Sequence, residues 1–158
     1  MTGTSRLGLL IFVAILVILH FVLRVGLGLG FLVPDLILVA LLLAARHMRA
    51  GWAAGLGLLL GVLEGAVIPF AFGASALALT ILGFAGARSR ELFAGYSPVL
   101  LALYLFAGKW AYDILVYVIV MANSRPGPIS TLYLVSPLSA VYAAAAGLAV
   151  YSAYRTFS

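Results

Sequence analysis

Gly57-Leu-Leu-Leu-Gly61-Val-Leu-Glu64-Gly65 places a single carboxylate in an otherwise apolar run, at the centre of the stretch Gly51 to Arg90. At 100° per residue, Gly57, Gly61 and Gly65 fall within about 80° of one another, and Glu64 lies about 20° to the other side of Gly57. The small residues and the acid therefore share one helix face. Small residues four apart permit close helix approach, so this face is expected to pack on neighbouring helices and Glu64 to point into protein. One acid at the centre of a membrane helix costs about 2.5–3.5 kcal/mol, nearly all that its apolar neighbours return, so this helix depends on its partners.

The rest of the 158-residue chain is of the same kind. It is 66% hydrophobic and 8% charged, with a mean hydropathy of +1.26, far beyond the roughly 45–50% apolar content of soluble domains. Long apolar runs such as Leu7 to Leu23 point to helices, because barrel strands alternate apolar and polar residues over about ten positions. That run is too long for a secretory h-region and no small-x-small site follows it, so it is expected to be a retained first helix. The reading is an all-α polytopic membrane protein, one domain over 1–158. Its helices are expected at about 7–23, 31–45, 51–68, 75–87, 97–122 and 131–154, with helices 2 to 4 short or irregular. There is no cysteine, hence no disulfide or thiol chemistry. The net charge of +5 sits singly or in pairs at helix ends, where a membrane accounts for it and nucleic acid does not.

Local signals place the boundaries. Pro34-Asp35 suits a first turn, and Arg46-His47-Met48-Arg49 closes that helix as a basic loop. Gly26, Gly28 and Gly30 mark an irregular stretch, Pro69 to Gly73 a tight turn, and Asn123 to Pro128 a turn cluster. Ser75 reads as a helix cap, Ser97-Pro98 as a cap and first-turn proline, and Pro137 as a kink in the last helix. With the N-terminus inside, Arg6, Arg46, Arg49, Arg88, Arg90 and Arg155 face the cytoplasm, against Arg24 and Arg125 outside. The positive-inside rule selects this orientation, with both termini cytoplasmic.

Ionisable groups inside a membrane are costly and warrant a functional reading. At 1.5 Å per residue, His20 and Glu64 each lie roughly 20 Å from the inner ends of their helices, Lys109 roughly 18 Å and Asp113 roughly 24 Å. Arg24 and Asp35 sit near the outer boundary. In a hydrocarbon core of about 30 Å, the six fall in the outer half. They form either a polar pocket, a glue of buried pairs, or a contact for a partner helix. Lys109 and Asp113 are four apart and pair within one helix; Glu64 has His20, Arg24 and Lys109 as candidate donors. No catalytic residue is assigned. Tyr112-Asp113 lacks the Gly-x-Gly-Asp partner of an intramembrane aspartyl protease, and Ser75 has no positioned base. No metal-ligand motif, phosphate loop or cofactor signature is present.

Three groups of residues together resemble MreD, the family of small rod-shape-determining membrane proteins. They are Pro34-Asp35-Leu-Ile-Leu before the basic loop Arg46 to Arg49, then Gly55-x-x-x-x-x-Gly61-x-x-Glu64-Gly65, then Ala76-Leu77-x-x-x-x-x-Gly83-x-x-x-x-Arg88. The likeness covers about 34–90 and is only hydropathic beyond. Where many members carry aspartate after the glycine-rich run, this chain has Glu64, which keeps the acid. The resemblance implies a non-enzymatic scaffold of the bacterial elongation machinery in the inner membrane. Its direct partner would be the bitopic MreC, assembling with it in an oligomer, and through MreC come RodA, its transpeptidase partner and the actin-like MreB. The loops with Arg46, Arg49, Arg88 and Arg90 would meet cytoplasmic partners or anionic lipid. The family is similar in fold to the S components of energy-coupling-factor vitamin transporters, which makes a vitamin-binding S component the alternative. Helix 1 offers only Ala14 toward the Ala-x-x-x-Ala pattern of such proteins, which favours the scaffold.

Overall fold

The computed structural model describes residues 3–26, 35–67, 73–89, 97–123 and 136–157, and over these the chain is all-helical. The elements are α1 (Gly3–Phe21), continued by a π-helical turn (Val22–Gly26), then α2 (Leu36–Ala45), α3 (Ala50–Val67), α4 (Ala74–Arg88), α5 (Pro98–Asn123) and α6 (Ser136–Phe157). Two stretches, Ala50–Val67 and Pro98–Val120, are long and apolar enough to cross a membrane.

The bundle is assembled around α2. Its ten residues, Leu36-Ile-Leu-Val-Ala-Leu-Leu-Leu-Ala-Ala, are all buried, none more than 5% exposed. A helix that is apolar all round has no face to offer water, and at about 15 Å it is half the thickness of a hydrocarbon core. It therefore occupies the interior, where it meets each of the other five helices. Ile37, Leu38, Leu41 and Leu42 pack with Leu60, Leu79, Leu101, Leu105 and Tyr112, while Ala40 and Ala44 receive Val13 and Leu16 of α1. The outer surfaces are apolar as well, with Ile15, Ile18, Leu59, Ile81, Phe84 and Leu138 each about half exposed or more.

The glycine face of α3 packs on α4. A Cβ on Gly57 would collide with the backbone carbonyl of Leu79, and one on Gly61 with the Cα of Ala76. The contact is reciprocal, since Gly83 of α4 lies against the carbonyl of Ala53. Backbone meets backbone along this seam, so side chains of any size are excluded. Gly65 is buried beside Glu64 on the same face.

Several boundaries differ from the sequence expectation. Asp35 does not enter the first turn of α2 but caps it, its Oδ1 accepting the Leu38 N–H at 3.3 Å. Ser75 is not a cap. Gly73, at φ 88°, opens α4 in a conformation open to glycine, and Ser75 then falls inside the helix at 2% exposure. Pro137 is the second described residue of α6, where proline suits a first turn, and the segment before Ser136 on which a kink would turn lies outside the described residues. Residues 31–34 and 131–135, the glycines at 28 and 30, and most of the turns at 69–73 and 123–128 lie outside the described residues.

Candidate functional site: a buried polar network

Glu64 is 4% exposed on α3, and each of its oxygens is used. Oε2 accepts the Tyr112 hydroxyl of α5 at 3.0 Å, and Oε1 faces Nη1 of Arg24 at 3.4 Å. Arg24 lies in the π-helical turn that follows α1, a local widening that recurs at functional positions. The same Nη1 lies 3.4 Å from Nε2 of His20, one turn earlier. A guanidinium only donates, so in this contact Nε2 stands on the accepting side. His20 itself is 1% exposed, its ring edge-on to Phe21.

A second set is centred on Lys109 of α5. Its ammonium donates to Asp35 Oδ2 at 3.3 Å and to Asp113 Oδ1 at 2.6 Å, and stands 5.0 Å from the Tyr112 ring centroid. Asp113 Oδ2 then accepts Ser136 at 2.6 Å and Ser139 at 3.4 Å, both from α6. Ser75 of α4 hydrogen bonds to the Tyr112 hydroxyl. The two sets meet where His20, Asp35 and Glu64 converge, one ligand-type atom from each lying within 4.8 Å of the others.

The network thus joins all six residues singled out in the sequence, His20, Arg24, Asp35, Glu64, Lys109 and Asp113, and draws on every helix of the bundle. Sequence reasoning missed Tyr112 as the donor to Glu64, and the roles of Ser75, Ser136 and Ser139. One signal was available for Tyr112, which stands three residues after Lys109 on the same helix face. Ser136 and Ser139 share a face by the same spacing, but nothing local points them at Asp113. Three carboxylates, Asp35, Glu64 and Asp113, thus share the cluster with Arg24 and Lys109.

The opposite end of α2 is basic. Arg46 caps its C-terminus, Arg49 precedes α3, and Arg88 ends α4. These ends are drawn together by the packing of Ala45, Ala53 and Ala87 with Met48 and Ala50. Arg49 and Arg88 are exposed, and Arg90 lies outside the described residues. His47 sits in the same loop, where desolvation by surrounding protein and then the Arg46 guanidinium hold its imidazole below the usual value. Below this end Tyr104 reaches the α2 backbone, its hydroxyl donating to the Leu42 carbonyl at 3.1 Å.

Compared with known proteins, the chain matches no family model, no curated protein and no solved structure.

Proposed function

We propose that the chain is a six-span protein of the bacterial inner membrane acting as a non-enzymatic scaffold of the elongation complex. Its direct partner in this reading is MreC, and it serves RodA, the RodA transpeptidase partner and MreB through that contact. The observation that carries the reading is the internal use of the polar network. Glu64 is bonded to the π-helical turn after α1 and to α5, Lys109 to the Asp35 cap of α2, and Asp113 to α6. Interhelical hydrogen bonds and buried pairs of this kind hold a bundle in one arrangement. What remains for other proteins is the apolar exterior, suited to a partner transmembrane helix, and the basic end with Arg46, Arg49 and Arg88. The resemblance of residues 34–90 to MreD supplies the identity of the partners.

The test is affinity purification of the chain from its native membrane in mild detergent, with identification of what co-purifies, alongside depletion in the source cell. Co-purification of a bitopic coiled-coil protein and rounding of rod-shaped cells are expected. Unchanged cell shape on depletion would remove the scaffold reading, and tight stoichiometric binding of a vitamin by the purified chain would replace it with the S-component reading.

A further inference from the structure

We propose that His20, Asp35 and Glu64 form a divalent-cation site, of the nitrogen-and-oxygen type that suits Zn²⁺ or Mn²⁺, which the ion enters by displacing the Arg24 guanidinium. The donor set is one imidazole and two carboxylates from three different segments, converging within 4.8 Å. Tetrahedral coordination with bonds of about 2.0–2.1 Å sets ligand atoms roughly 3.3 Å apart. Closing the 4.8 Å separation to that distance takes a shift of up to about 1.5 Å between ligand atoms.

Arg24 holds the place of the ion. Its Nη1 lies between His20 Nε2 and Glu64 Oε1, 3.4 Å from each. Charge-assisted bonds at full strength run about 2.7–2.9 Å, so the guanidinium makes neither contact well. It is also the more open member of the pair, with its side chain 28% exposed against 5% for Glu64. The nitrogen that faces Arg24 is Nε2, which on the accepting side offers the lone pair that a metal requires.

Charge permits the exchange. With Arg24 withdrawn and a divalent ion bound, Asp35, Glu64 and Asp113 are balanced by Lys109 and the ion. Neighbours also orient the ligands. Tyr112 holds Glu64 through Oε2, and the Leu38 N–H holds Asp35 through Oδ1. Outer partners of this kind set ligand orientation, and their loss weakens metal binding 10–100-fold in known sites. Lys109, on Asp35 Oδ2, keeps its shorter bond to Asp113 when that carboxylate turns toward the ion.

The proposal does not depend on the scaffold reading, because the isolated chain is enough to test it. Untagged full-length protein in detergent, stripped with chelator, is titrated calorimetrically with ZnCl₂ and with MnCl₂. One ion per chain is expected for at least one of the two metals. His20→Gln and Glu64→Gln are expected to weaken that binding by more than about tenfold, with helicity checked by circular dichroism. Arg24→Gln is expected to tighten it, a gain that misfolding does not produce. X-ray absorption on the loaded wild-type protein should show one imidazole nitrogen among oxygen ligands. Failure of both wild type and Arg24→Gln to take up one equivalent, or a bound ion with no imidazole ligand, would overturn the site. Unchanged affinity in Arg24→Gln would overturn the exchange.

Discussion

The hydroxyl of Tyr112 donates to Glu64 Oε2 at 3.0 Å across the interior, joining α5 to α3 over 48 positions of sequence. It gives one oxygen of the Glu64 carboxylate a short, well-buried donor, since the Arg24 contact to the other oxygen is longer and partly open to the surroundings. Tyr112→Phe removes that donor and leaves the ring in place. The expected loss is about 1–3 kcal/mol, the cost of an unsatisfied buried acceptor. Thermal unfolding in detergent measures it. Tyr112→Phe combined with Glu64→Leu is expected to cost less than the sum of the two single changes, because the stranded acceptor is gone.

Gly61 and Gly55 differ on the same helix. A Cβ on Gly61 meets the backbone of Ala76 and the carbonyl of Ser75, whereas one on Gly55 meets nothing within 4 Å. Gly61→Ala must push α3 from α4 and is expected to lower stability by about 1–3 kcal/mol, as overpacking does. Gly55→Ala is expected to be neutral or to stabilise by up to about 1 kcal/mol through helix propensity. Equal effects in the two variants would mean that the α3–α4 seam is looser than described.

Lys109 separates two carboxylates, and its side chain is 11% exposed. Lys109→Met leaves Asp35 and Asp113 facing each other without a cation, and breaking a buried pair from one side costs about 3–5 kcal/mol. The triple change with Asp35→Asn and Asp113→Asn is expected to recover much of the loss. Unfolding midpoints of the two variants decide between a charge effect and simple loss of packing.

His47 provides a pH dependence at the basic end. Its folded-state pKa lies below the ordinary 6.5 because surrounding protein desolvates the ring and Arg46 repels its charge. The unfolded chain therefore binds the proton more readily than the folded one. Above about pH 6.5 neither state is protonated and no penalty exists; as pH falls through that value and on through the folded pKa, stability declines. The residue is still partly open to solvent, so the effect is small. The unfolding temperature followed from pH 7.5 to 5 should fall more in wild type than in His47→Gln.

Much of the architecture can be read locally. Apolar runs bounded by Pro98, Arg46 and Arg88 mark helices because each is a property of a few consecutive residues. The face shared by Gly57, Gly61 and Glu64 follows from helical period alone, and Lys109 and Asp113 pair because they are four apart on one helix. Less legible were the caps. At Ser75 the residue type was informative but its position in the turn was not, since a shift of one or two residues decides whether a hydroxyl caps a helix or enters the core.

What the chain determines by itself is its apolar, helical character and the helix faces on which its few charges stand, since composition and periodicity need no partner. Tertiary structure alone decided which charges meet. Arg24 and Glu64 are 40 positions apart, Lys109 and Asp35 are 74 apart, and no short-range pattern records either pairing. They meet because α2, too short and too apolar to lie anywhere but the centre, draws the other helices around it and brings their scattered polar groups to the end capped by Asp35.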